Sequence, residues 1–292
     1  MIPKEVLQKV RQIEIRTKSI VDSILSGEYH SAFKGRGMEF SEVRSYMEGD
    51  DVRSIDWNVT ARMGTPYIKK HVEERELTVM LMVDASSSGD FGTVEKFKGE
   101  MAVELCSLLA FSAIRNNDRV GLIIFTSDIE VYIPPRKGKN HVLRVIRELL
   151  YFKPRNKGTN ISEALRFLNQ VQRKKSVVFL VSDFISAGYE KALRVASKRH
   201  DLVAVSVRDP REDELPSVGL IELEDAETGG VMLIDTRNKS MLRAYAKERQ
   251  KQRTVFEQLL RSTGVDEIQV STKTGYVDPI VKFFRKREKM YR

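Results

Sequence analysis

A doubly wound, Rossmann-type α/β domain with a mostly parallel sheet is the fold this 292-residue chain predicts. Three observations carry that reading. Residues 77–83, 176–182 and 201–207 are continuous, β-prone runs, mainly apolar, as strands buried on both faces should be. Segments of helical periodicity separate them, which favours parallel strands joined by crossover helices. Two of the runs end beside an aspartate, Asp84 and Asp183, at the carboxyl ends of strands, where open α/β sheets bind ligands.

Each element follows in order. Residues 4–26 place Val6, Val10, Ile13, Ile20, Val21, Ile24 and Leu25 at mostly helical spacing, with Gly27 as a stop. About fifty residues of low periodicity follow, rich in Gly, charge and aromatics, read as an irregular extension. Strand 77–83 leads to helix 93–115, in which Phe97, Met101 and Phe111 read as core. Strand 119–125 turns at Ser127-Asp128 into a short strand, 129–133, a hairpin at one sheet edge. Helices near 139–150 and 161–173 precede strand 176–182, then helix 188–199 and strand 201–207. Segments 218–223 and 230–235 read as an edge hairpin with an acidic connection. A helix over 239–262, a strand near 266–271 and a helix over 277–289 close the chain. Residues 1–76 are read as an N-terminal helix and clasp segment, and 77–214 as the α/β core. Residues 215–292 complete that same domain.

Composition narrows the function classes. Charged residues at 31% and hydrophobic residues at 41% describe a soluble globular protein. No apolar run of about 18 residues exists, so no membrane span is expected. Met1-Ile2-Pro3-Lys4-Glu5 lacks a signal core, and the single Cys106 reads as a small buried hydrophobe in a cytoplasmic protein. The net charge of +9 is concentrated at the end: residues 239–292 hold 14 Lys/Arg against 6 Asp/Glu. A basic tail can meet an acidic partner, nucleic acid or an anionic membrane surface. No nucleic-acid motif accompanies it, so a solvated helix face is preferred and a nucleic-acid partner is not expected. His30, His71, His141 and His200 show no zinc spacing and read as surface or capping residues. No GxSxG elbow and no GxxxxGK[ST] phosphate loop is present.

The chemistry sits at the strand ends. Asp84-Ala85-Ser86-Ser87-Ser88 places an acid and two hydroxyls at i, i+2 and i+4, three hard oxygens suited to Mg²⁺. Thr159, in Lys157-Gly158-Thr159-Asn160, adds a hydroxyl on a loop, and Asp183 adds a second acid. The competing assignment is a Ser-rich helix cap, in which Asp84 accepts backbone N–H bonds.

DxSxS, then Thr, then a strand-terminal Asp resembles the metal-ion-dependent adhesion site of von Willebrand factor A domains. That resemblance implies direct ligation by Ser86 and Ser88, and by Thr159 directly or through water. Asp84 and Asp183 would hold coordinated waters or switch into direct contact. Mg²⁺ is the implied cofactor, with Mn²⁺ or Ca²⁺ as alternatives. One position would stay open for an Asp or Glu of a protein partner. A second resemblance lies just upstream. Gly35-Arg36-Gly37-Met38-Glu39-Phe40, Arg44-Ser45-Tyr46, Gly49 to Trp57 and Thr60-Ala61-Arg62 fit GxGxEFxxxRxYxxGDDxRxIDWxxTAR. This block resembles the bacterial domain-of-unknown-function family numbered fifty-eight. Members carry a von Willebrand factor A-like domain and are often encoded beside MoxR-type AAA+ ATPases. One departure is Gly89, where that pattern often has Met, and no ligand is lost by it.

Together these imply a non-enzymatic, metal-dependent interaction module working with a MoxR-type AAA+ ATPase in assembling or activating a protein complex. A Mg²⁺-dependent phosphoester hydrolase is the rival, weakened by the missing general base and phosphate clamp. A basic nucleic-acid or membrane-surface binder through 239–292 is the third reading. The Arg, Asp, Tyr46 and Trp57 block is expected to clasp the extension onto the α/β domain through ion pairs and stacking.

Overall fold

The computed structural model describes residues 12–15, 29, 32–33, 38–73, 76–87, 97–224 and 230–291. In chain order these form β1 (Met38–Ser45), α1 (Trp57–Met63), β2 (Tyr67–Glu73), β3 (Thr78–Asp84) and α2 (Lys98–Arg115). Then come β4 (Arg119–Phe125), β5 (Ile129–Arg136), α3 (Lys139–Tyr151), α4 (Ile161–Val171) and β6 (Val177–Ser182). After them lie α5 (Glu190–Arg199), β7 (Asp201–Arg208), α6 (Pro210–Asp213), β8 (Leu220–Glu224) and β9 (Val231–Asp235). Last are α7 (Lys239–Thr263), β10 (Asp266–Ser271) and α8 (Val277–Tyr291).

Six strands form the main sheet in the order β10-β7-β6-β3-β4-β5. All neighbours are parallel except β5, which returns antiparallel from β4. This is the doubly wound, mostly parallel sheet expected. Its central strands alternate between two cores. Val79, Leu81 and Val83 of β3 face α2, α3 and α8, while Met80 and Met82 face α4, α5 and α7. Val177, Phe179 and Val181 of β6 divide from Val178 and Leu180 in the same way. Side chains on both sheet faces are thus removed from water, each worth about 1.5–3 kcal/mol. That explains why these strands read as unbroken apolar runs. Cys106 is fully buried in α2, its thiol pushed up to about 12 by burial.

The order of strands creates a switch point. From β3 the chain passes through α2, on one face, to β4. It reaches β6, on the other side of β3, by way of α4 on the opposite face. Connections that diverge to opposite faces leave a crevice at the carboxyl ends of β3 and β6. Asp84 ends β3 and Asp183 directly follows β6.

Several expectations need correction. The extension is not irregular. β1 and β2 form an antiparallel ribbon with a bulge between Phe40 and Glu42. Charge interrupts its apolar alternation, which is why periodicity missed it. Within the Arg, Asp and Trp57 block, the pairing seen is local. Arg44 pairs bidentately with Asp50 inside the ribbon loop, and Trp57 is 67% exposed. Tyr29 and Phe33 pack onto the α/β domain, their rings meeting Phe284 edge-on at 5.6 and 5.9 Å. The helix over 4–26 lies outside the described residues except for 12–15, which are helical. Phe97, expected in the core, is extended and 51% exposed just before α2, and residues 93–96 of the expected helix lie outside the described residues. β5 continues to Arg136 through Pro134 and Pro135, allowed because it is the sheet edge. Among the described residues the β8–β9 hairpin pairs only with itself and lies outside the main sheet, whose other edge is β10.

His200 is neither a surface residue nor a ligand. It closes α5 at 2% exposure, with Nδ1 3.1 Å from the Ser176 hydroxyl. Its Nε2 is buried without a hydrogen-bond partner among the described residues. Burial, reinforced by the Arg199 charge, lowers its pKa to about 4. A folded pKa below the unfolded value of about 6.5 means that the neutral ring's contribution is complete above that pH. It is lost as pH falls towards 4. Between pH 7.5 and 4, wild type is expected to lose on the order of 3 kcal/mol relative to His200→Gln. Denaturant unfolding at both pH values measures the gap; parallel curves would show that His200 does not titrate in this range.

Candidate metal centre at the sheet switch point

Three loops meet at the switch point and are stitched by backbone hydrogen bonds. Ala85 N–H donates to Phe125 O at 2.9 Å and Ser87 N–H to Lys157 O at 3.1 Å. Asn160 N–H donates to Thr126 O at 2.8 Å, and its side chain caps α4 by accepting from Glu163 N–H. The cap fixes where α4 starts, and so holds Thr159, the residue before Asn160, against Asp84 of β3.

Asp84 is the hub. Its Oδ1 accepts from Ser86 N–H at 3.1 Å, and its Oδ2 accepts from the Ser182 hydroxyl at 2.7 Å. The Thr159 hydroxyl lies 3.4 and 3.5 Å from the two oxygens. Burial, followed by the charge of Asp183, raises the Asp84 pKa to about 6 against the hydrogen bonds from Ser182 and Ser86. Two carboxylates thus face one another where water is scarce, an arrangement a cation stabilises. Of the five expected site residues, Asp84, Ser86, Thr159 and Asp183 converge here. Ser88 lies outside the described residues. Two acids and neutral hydroxyls are a donor set for a hard divalent ion. Among the described residues no group of three His, Cys, Asp or Glu side chains is arranged to hold a metal ion, so hydroxyls must complete any donor set here. A cavity of about 20 Å³ lies between Asp84, Ser182, Asp183 and Lys98, room for one water-sized occupant.

Two participants were not anticipated. Ser182, the last residue of β6, donates to Asp84 and accepts from Phe184 N–H at 3.1 Å. Phe184 has φ 57°, the left-handed region that costs a non-glycine residue about 1 kcal/mol. The tight turn is held by that bond and by Ile185 N–H on Asp183 Oδ1 at 3.2 Å. Lys98 is the larger surprise. It is 3% exposed and donates to Asp183 Oδ2 at 3.0 Å and Glu212 Oε1 at 2.6 Å. Burial opposes its charge, but Asp183 and Glu212 outweigh burial and hold the ammonium above its usual range. The signal for Lys98 was its phase: it shares the buried stripe of α2 with Met101, Ala102 and Leu105. Glu212 is placed by a capping box at α6, where its Oε2 accepts from Asp209 N–H at 3.1 Å.

The model of one family, the protein of unknown function DUF58, matches residues 42–255. The chain belongs to the DUF58 family. An uncharacterized protein of Mycobacterium tuberculosis is 30% identical to this DUF58 chain over 283 residues, covering 96% of it and 89% of the relative. Among solved structures, the conserved hypothetical protein BatB from Bacteroides thetaiotaomicron is 20% identical with a TM-score of 0.48. That similarity covers 73% of the DUF58 chain and 99% of BatB. The SpRpn10 VWA domain is 11% identical with a TM-score of 0.42, over 70% of this chain and 94% of that one. Among the described residues, no helix of the DUF58 chain is long and apolar enough to cross a membrane.

Proposed function

We propose that this DUF58 chain is a non-catalytic protein-interaction module of the cytoplasm whose contact with a partner is completed by a divalent cation. The supporting observation is the convergence of Asp84 and Asp183 with the hydroxyls of Ser182 and Thr159, beside the buried Ser86, at the switch point. Mg²⁺ suits this donor set, with Mn²⁺ or Ca²⁺ as substitutes. Asp84, Ser86, Thr159 and Asp183 would hold it, and Ser88 completes the DxSxS set in the sequence. Bound there, the ion would supply a Lewis-acidic position for a partner's Asp or Glu. The chain's own residues do the rest. Ser182 and Ser86 N–H orient the Asp84 carboxylate, and the capped start of α4 presents Thr159. By the family resemblance, the partner is a MoxR-type AAA+ ATPase engaged in assembling or activating a protein complex.

Metal binding is the first test. Mn²⁺ titrated into the full chain and followed by spin resonance should give a bound fraction that Mg²⁺ displaces. Asp84→Asn, which keeps an acceptor for Ser86 N–H, is expected to weaken binding at least tenfold. Equal affinity in wild type and Asp84→Asn would remove the metal centre from this reading.

A further inference from the structure

Beside the candidate metal centre lies a groove of about 640 Å³, open to solvent, between the turn after β6, α5 and the middle of α7. Asp183 lines both this groove and the small cavity at the candidate metal centre, so the two are adjacent. The floor is aromatic: Phe184 and Phe256 stack with centroids 4.7 Å apart. Its rim is apolar and exposed, with Ile185 at 51% and Val255 at 58%. Large exposed aliphatic side chains beside a concave aromatic floor mark a surface built to be covered.

Charge says what covers it. Arg194, Arg208, Arg249, Lys251 and Arg253 line the groove. The carboxylates among them are Asp183, Glu190, Glu212 and Glu248, and Lys98 already neutralises part of Asp183 and Glu212 from below. Arg253 is paired internally with Glu257 at 3.0 Å and Lys251 lies 4.0 Å from Glu248, whereas Arg194 and Arg249 are held in place by neutral acceptors. Arg194 donates to the Ser262 hydroxyl at 3.3 Å, and Arg249 donates Nε–H to Glu212 O at 3.0 Å. Each guanidinium retains further N–H donors for a carboxylate. Resting on the metal-bridged reading above, we infer that this groove receives an acidic segment of the protein partner. One carboxylate would approach Asp84 and Asp183. The next apolar side chain, aromatic or branched aliphatic, would sit on Phe184 and Phe256. Further acids would meet Arg194 and Arg249. An apolar anchor in a desolvated pocket supplies affinity, and the charged rim supplies orientation and partner choice.

The test is selection of a phage-displayed library of random twelve-residue peptides on the full chain in Mg²⁺. Enriched peptides should combine several Asp or Glu with an aromatic or branched aliphatic residue. The double variant Val255→Glu/Arg194→Glu, both positions exposed, should bind them at least tenfold more weakly at an unchanged thermal midpoint and unchanged Mn²⁺ affinity. Peptides with no acidic enrichment, or equal binding by the double variant, overturn the groove assignment. Asp84→Asn separates the two readings. If it loses the peptides while the groove variant keeps them, the metal centre stands and the groove falls. If the groove variant loses them while Asp84→Asn keeps them, the metal bridge falls and the groove stands. A wild-type dimer in sedimentation that the groove variant abolishes would assign the groove to a second copy and overturn an acidic partner.

Discussion

Arg287→Met is expected to destabilise the protein by about 3–5 kcal/mol, with a fall in the midpoint of guanidinium unfolding at unchanged slope. Arg287, 2% exposed, ties α8 to the amino ends of two neighbouring strands. Its Nη1 and Nη2 reach both oxygens of Asp201, which opens β7, at 3.0 and 2.9 Å. Nε and Nη2 reach Oδ2 of Asp266, which opens β10, at 2.8 and 2.5 Å. The guanidinium also lies over the rings of Phe33 and Phe283, 5.1 and 4.9 Å from their centroids. Methionine fills the volume but removes both guanidinium contacts to the buried Asp201 carboxylate, and that lost charge compensation dominates the cost. The double variant Arg287→Met/Asp201→Leu should therefore recover part of the loss. If the double variant is as unstable as the sum of the two single ones, packing rather than charge governs the site. The exposed pair Arg166–Glu163 is a control: its removal should cost less than about 1 kcal/mol.

What could be read from the sequence follows from how each element is stabilised. β3, β6 and β7 are covered on both faces, so burial leaves an unbroken apolar run and strand ends are visible. Asp84 and Asp183 were legible for the same reason, since their roles depend on strand-end position. The β1–β2 ribbon was not, because strand-to-strand hydrogen bonds define it while charge breaks its alternation. The β8–β9 hairpin was seen as a hairpin but misplaced. Nothing in a local pattern tells whether a strand joins a sheet or pairs alone. Arg287 and Lys98 were missed because a charge on a helix normally marks its wet face. Both stand in phase with buried apolar neighbours, Arg287 with Ile280, Phe283 and Phe284, and phase was the usable signal. Their acidic partners are 85 to 114 residues away for Lys98, a distance no local reading spans.

Lys98→Met should lower stability by about 3 kcal/mol in EDTA, because Asp183 and Glu212 would then share a poorly hydrated space without a counter-ion. The diagnostic feature is what a divalent cation restores. In wild type the ammonium already supplies one positive charge to Asp183, so Mg²⁺ would meet a partly neutralised site. In Lys98→Met the same carboxylate is uncompensated, and Mg²⁺ should raise the thermal midpoint by more than in wild type. Glu212→Gln provides the counter-case. It keeps Lys98 on Asp183, and the Mg²⁺-induced rise should stay near that of wild type. If Mg²⁺ lifts all three proteins equally, Lys98 is a packing residue with no electrostatic link to the centre. The link has a structural consequence as well. The main-chain carbonyl of Glu212 accepts from the Tyr245 hydroxyl at 2.8 Å and from Arg249 at 3.0 Å, both on α7. Lys98 therefore joins the carboxylate of the candidate metal centre to the helix that forms one wall of the basic groove. Three contacts of hydrogen-bond length thus run from Asp183 through Lys98 and Glu212 to Arg249, which lines the groove.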